Sequence, residues 1–231
     1  MLKDIYRPNR YALDDRFVLR DGQTHPFAVI CPGGGYSIVC SFIEGTPIAR
    51  RLNERGISAF IVYYRVRGKA RFPQPQDDLA RAVEEILSRA EEYRVEKESY
   101  SVWGSSAGGH LAASFGTESM GWAKYGLPKP GAIVLSYPVI SMVGELPHRE
   151  THDNLLGRHA TLAQEKSRKR RRAGELRLSA CLYLVRRRGQ HGFSGEYAPY
   201  GCCSGERGRT CPLRDLPGCR ARRGTRHGDG C

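Results

Sequence analysis

Nothing in the 231 residues approaches the roughly 20 consecutive apolar residues that a bilayer-spanning helix requires, and Met1-Leu2-Lys3-Asp4-Ile5-Tyr6 opens no apolar run of signal-peptide length. The expectation is a cytoplasmic protein with no membrane partner. There are 8 cysteines, but no two form a C-x-x-C pair. Cys202, Cys203, Cys211, Cys219 and His227 also lack the spacing of a zinc site, so no metal is expected. The first 165 residues lack a charge excess as well, with 20 Lys+Arg against 19 Asp+Glu. Nearly all of the net charge of +13 sits in residues 166–231, which carry 17 Lys+Arg against 5 Asp+Glu and six of the cysteines. Two compositions share one chain: a neutral body over residues 1–165, and a basic, cysteine-rich tail over residues 166–231.

The body has the punctuation of an α/β protein. Phe27-Ala28-Val29-Ile30-Cys31 is a continuous apolar run ending in Pro32-Gly33-Gly34-Gly35, which suits a buried strand entering a loop of bare backbone. Thr46-Pro47 reads as an N-cap with proline at the first helical position, and Gly56 can stop the helix that carries Ile48 and Leu52. Ala59-Phe60-Ile61-Val62-Tyr63-Tyr64 is a second buried-strand pattern. From Gln76 to Tyr93, Leu79, Ala82, Val83, Ile86, Leu87 and Ala90 recur at helical spacing, with Asp77 and Asp78 at the positive N-terminal end. Ser101-Val102-Trp103 and Ala132-Ile133-Val134-Leu135-Ser136-Tyr137 complete the strands. Apolar strands alternating with amphipathic helices predict a doubly wound, mostly parallel sheet covered on both faces.

Gly104-Ser105-Ser106-Ala107-Gly108 fits G-x-S-x-G between a predicted strand and a predicted helix, the context in which a sharp turn lifts a serine hydroxyl above the sheet. Ser106 is the candidate nucleophile, and Ser105, at the variable position, is expected to point elsewhere. An attacking serine also needs donors for the oxyanion formed at the attacked carbonyl. The expected pair is the N–H of Ala107 with that of Gly34 or Gly35, each such donor being worth about 3 kcal/mol of transition-state stabilisation. Either motif alone is common by chance; the glycine loop and serine elbow at successive strand ends reinforce each other. His110 lies one turn after the nucleophile and reads as a helix-capping or packing residue rather than as the base.

Pro32-Gly33-Gly34-Gly35-Tyr36, Tyr64-Arg65, Pro75-Gln76-Asp77-Asp78, Gly104 to Ala112, and Ser136-Tyr137-Pro138-Val139-Ile140 together resemble the α/β-hydrolase esterases related to hormone-sensitive lipase and acetyl-xylan esterases, over roughly residues 20–160. Pro32 stands where many members have histidine, a variant that leaves the glycine N–H groups in place. The resemblance implies the α/β-hydrolase fold and hydrolysis of small-molecule short-chain esters, acetyl groups on sugars included, without a metal or organic cofactor. It also demands an Asp and then a His after the serine, each on a loop following a strand. His191, His227, Asp215 and Asp229 follow no strand-like apolar run and lack a Gly-His-Gly context, so none is assigned to the triad.

The tail's Arg, Gly and Cys enrichment without hydrophobic periodicity resembles an out-of-frame translation of a GC-rich gene, with the C-terminal strands of the fold lost. Back-translated with free choice of synonymous codons and moved one nucleotide, residues 179–204 permit a strand, an acid loop and a helix. Residues 212–231 permit a final strand and a Gly-His-Gly turn. The Asp codon would then overlap Gly189 and Gln190, and the His codon Ala221 and Arg222. The opposing reading is a non-catalytic hydrolase-like protein whose basic run, Lys166, Arg168, Lys169, Arg170, Arg171 and Arg172, binds nucleic acid; it leaves the serine elbow unexplained.

Overall fold

The computed structural model describes residues 10–139, 149–157 and 181–184. Six strands form one sheet in the order β1-β3-β2-β4-β5-β6: β1 Ala12–Phe17, β2 His25–Cys31, β3 Ser58–Tyr63, β4 Val95–Ser105, β5 Ala132–Ser136 and β6 Cys181–Leu184. Only β1 runs antiparallel, against β3. The other pairs are parallel, with Val29 opposite Phe60 and Val102, and Trp103 opposite Val134. Parallel neighbours need crossover connections, and the helices supply them: α1 Thr46–Asn53, α2 Gln74–Ser88, α3 Ala90–Tyr93, α4 Ser106–Phe115 and α5 Arg149–Leu156.

The predicted strands are the buried ones. Every residue of β3 is buried, as are Phe27 to Cys31 of β2, because a sheet sandwiched between helices exposes neither face to water. Phe27 stacks on Tyr100 and meets Phe60 edge-on, which locks β2 to both neighbours. On α2 the buried stripe is Leu79, Ala82, Val83 and Ile86, as the periodicity requires.

Several boundaries differ from the sequence reading. The predicted helix over 76–93 begins at Gln74 and breaks at Arg89 into α2 and α3, and Arg94, at φ 51°, ends α3. Thr46 is not the N-cap of α1. A single π turn over Ser41–Gly45, closed by the Thr46 N–H on the Ser41 carbonyl, runs straight into the helix and places Thr46 and Pro47 in its first turn. Strand β1 was not read, because Asp14-Asp15-Arg16 interrupts its pattern. Asp14 is nonetheless buried, accepting two hydrogen bonds from the Arg16 side chain at 2.8 and 2.7 Å. The tail reading gave residues 166–231 no strand. The structure corrects this at Cys181-Leu182-Tyr183-Leu184, a short apolar run that pairs with Ile133–Ser136 of β5. The other readings made on residues 166–231, including those of His191, His227, Asp215, Asp229 and the basic run, lie outside the described residues.

Candidate active site

The C-terminal ends of β2, β4 and β5 are neighbours in the sheet, so the loops that leave them converge. The middle loop is hardly a loop: β4 ends at Ser105 and α4 starts at Ser106, with no residue between. A reversal this tight needs an unusual backbone. Ser106 adopts φ 50°, a left-handed conformation that non-glycine residues seldom take, and one found where surrounding structure enforces it. The enforcement is visible at the flanking glycines. A Cβ on Gly104 would lie 2.3 Å from the Gly108 carbonyl oxygen, and one on Gly108 only 2.0 Å from the carbonyl oxygen of Cys31. Helix α4 thus sits against the end of β2 with no room for a side chain at either position. Ser105 is 3% exposed, while Ser106 is partly exposed.

The loop leaving β2 lies directly against this elbow, since a Cβ on Gly33 would come within 2.8 Å of Ser106 Cβ. Gly34, Gly35 and Tyr36 follow at φ 126°, 62° and 57°, a backbone path open mainly to glycine. The loop's carbonyls are tied down. Pro32 O accepts from the Tyr64 hydroxyl at 2.5 Å, Gly33 O from the Cys40 N–H at 3.0 Å, Gly34 O from the Ser37 N–H at 2.9 Å, and Gly35 O from Asn154 Nδ2 at 3.0 Å. Burial pushes the Tyr64 phenol well above its ordinary value, which keeps it a donor. The Gly33 N–H donates to Glu44 Oε2 at 2.6 Å. The N–H groups of Gly34 and Gly35 meet no acceptor among the described residues, and both glycines are partly exposed. Ala107 occupies the second position of α4, where an N–H has no carbonyl one turn back to bond. Ser106 thus lies beside the start of the glycine loop, with Ala107 buried behind it at the head of α4.

Other residues pack around the glycine loop. The Tyr36 ring is buried, meets Tyr64 edge-on at 5.7 Å and bonds His110 Nδ1 through its hydroxyl at 3.0 Å. His110 is itself buried, with its ring edge-on to that of Tyr36. Tyr64-Arg65 and Pro75 to Asp78, quoted separately from the sequence, meet as one ion pair. Asp78 accepts from the Arg65 backbone N–H at 2.7 Å and from its Nε at 2.9 Å. Burial raises the Asp78 carboxyl pKa, and the Arg65 bonds pull it partway back.

The loop leaving β5 closes the third side. Val139 donates its N–H to the carbonyl of Ser106 at 3.0 Å, and the Tyr137 hydroxyl bonds Glu44 Oε1. Sequence reasoning missed Glu44, Tyr137 and Asn154, whose roles arise from contacts between distant segments. Among the described residues nothing hydrogen-bonds the Ser106 hydroxyl: His25 bonds Asp21 and the Gly56 carbonyl, and His152 bonds Asp153. The described residues also contain no cluster of three or more His, Cys, Asp or Glu able to hold a metal ion.

Residues 18–124 match the BD-FAE family model. Among curated proteins the chain is 31% identical over 163 residues to endo-1,4-beta-xylanase B of Butyrivibrio fibrisolvens, which covers 67% of this chain and 25% of that protein. It is 33% identical over 127 residues to the acetylxylan esterase of Xylanibacter ruminicola, with coverage of 55% and 25%. The chain thus spans about a quarter of the length of these curated relatives. Among solved structures it is similar to the acetyl ester-xyloside bifunctional hydrolase from Caldicellulosiruptor lactoaceticus, at TM-score 0.59 and 31% identity over 70% of this chain and 62% of that one.

Proposed function

We propose, for a chain with the α/β-hydrolase fold whose residues 18–124 match the BD-FAE model, that the body is a serine carboxylester hydrolase for short-chain esters, with acetyl groups on sugars as the substrate class. One observation carries the reading: a partly exposed serine at φ 50° abuts a glycine loop whose second and third N–H groups find no acceptor among the described residues. Ser106 Oγ attacks the ester carbonyl carbon and gives up its proton, and the carbonyl oxygen takes the negative charge. The N–H of Ala107 and that of Gly34 or Gly35 receive this oxyanion. Collapse of the intermediate expels the alcohol, which takes a proton and leaves acyl-Ser106. Attack by water then releases the carboxylic acid and restores the hydroxyl.

The steps need a proton acceptor near Ser106, and among the described residues none hydrogen-bonds its hydroxyl. Where residues outside the described set supply none either, the rate is impaired and falls to what the oxyanion hole and binding sustain alone, roughly 10³–10⁴-fold over water in triad enzymes. The acetylated xylan of the one relative and the acetyl ester and xyloside of the other support a sugar alcohol as the leaving group. Acetylated xylo-oligosaccharides and p-nitrophenyl acetate test the reading together. Acetate release from both, abolished in Ser106→Ala, is the expected result; equal release by the mutant would contradict it.

The basic run from Lys166 to Arg172 favours a second reading, a non-catalytic hydrolase-like body with a nucleic-acid-binding tail. That reading predicts binding to DNA or RNA that weakens steeply with salt, and no acetate release.

A further inference from the structure

Glu44 belongs to neither motif, yet it touches both loops that flank the nucleophile. In the π turn over Ser41–Gly45 this side chain is half-buried, while its neighbours Phe42 and Ile43 are 84% and 74% exposed. Its two carboxylate oxygens are used separately. Oε2 accepts the Gly33 N–H at 2.6 Å, and Oε1 accepts the Tyr137 hydroxyl. Gly33 lies against Ser106 Cβ, and the segment holding Tyr137 is bonded through the Val139 N–H to the carbonyl of Ser106. The three loops thus close into a ring: glycine loop to Glu44, Glu44 to the loop after β5, that loop to the elbow, and the elbow back to the glycine loop.

We propose that Glu44 is a positioning residue that clamps the glycine loop so that the N–H of Gly34 or Gly35 faces the oxyanion, a role that rests on the esterase reading above. The geometry constrains the role in two ways. The Gly33 N–H is occupied by the carboxylate and cannot face a substrate, which leaves the donor's place to the next two glycines. The carboxylate meanwhile faces two donors of the protein, a charge-assisted N–H bond among them, rather than the developing negative charge. Without Glu44 the Gly33 N–H loses its acceptor and the loops after β2 and β5 lose their link. A misplacement of about 1 Å at such a site can cost about 10²-fold in rate.

The test compares Glu44→Ala, Glu44→Gln and Tyr137→Phe with the wild-type chain, with Glu54→Ala as a surface control. It measures kcat and KM on p-nitrophenyl acetate alongside amide hydrogen exchange across residues 33–40. Glu44→Ala should lower kcat by about 10²-fold with KM within about twofold, because the oxyanion exists only in the transition state. Exchange across residues 33–40 should rise in the same variant. Glu44→Gln keeps an oxygen for the Gly33 N–H and should recover most of the rate, while Tyr137→Phe should fall between. An unchanged kcat, a loss confined to KM, or unchanged exchange in Glu44→Ala would overturn the proposal. If Glu44→Ala does not fold, Glu44→Gln and Tyr137→Phe decide it by the same readouts. If the wild-type chain shows no turnover, the esterase reading fails at its own test, and exchange across the glycine loop alone decides the clamp.

Discussion

Ser106 holds a backbone conformation that costs of order 1–3 kcal/mol, and the surrounding contacts impose it. The glycines either side are required for space rather than for flexibility. Gly108→Ala would drive a methyl group into the carbonyl of Cys31, and neither backbone can yield cheaply. We expect it to destabilise the body by about 3 kcal/mol or more, at the upper end of the cost of overpacking, as a lower urea midpoint. Ser105→Ala should leave the nucleophile's geometry intact, since Ser105 is buried beneath the elbow. The serine and the glycine triplet were legible in the sequence because their chemistry is local: a turn that tight, between a strand and a helix, admits few residues. Glu44 was not, because its partners Gly33 and Tyr137 lie 11 and 93 positions away and no short pattern encodes them.

At the scale of elements, the segment after β3 is tied to the glycine loop through Tyr64 and to α2 through Arg65. Arg65 leaves the end of β3 and Asp78 faces it from α2, with the Arg65 side chain also reaching the Gln74 carbonyl at 3.0 Å. Breaking a largely buried pair strands the remaining charge. Asp78→Ala should therefore cost about 3 kcal/mol, the lower end of the range because Arg65 keeps some exposure, and a double-mutant cycle with Arg65→Ala should show strong coupling. A cycle with additive losses would mean that the pair does not brace the two elements. Buried strands were the easiest elements to foresee, since β2 and β3 are continuous apolar runs with both faces covered. Strand β1 escaped because its buried Asp14 looks like a loop residue until Arg16 is seen beside it. The π turn before α1 escaped because Thr46-Pro47 is an acceptable helix start in its own right.

At the scale of the molecule, a neutral body with a closely packed sheet precedes a strongly basic stretch of sequence. If that stretch binds nucleic acid, affinity for duplex DNA should fall by orders of magnitude between low and physiological salt; a salt-independent signal would exclude phosphate neutralisation as its cause. Sequencing the gene across codons 155–231 and translating the adjacent frame tests the out-of-frame reading, which predicts Asp and Gly-His-Gly loops there. The account as a whole stands on Ser106 as an acyl-accepting nucleophile. Its most direct test is to treat the full chain with a fluorophosphonate and map the adduct by peptide mass. A single phosphonylated peptide containing Ser106, absent from Ser106→Ala, is the predicted result; a folded chain that takes up no label, or takes it up elsewhere, would contradict it.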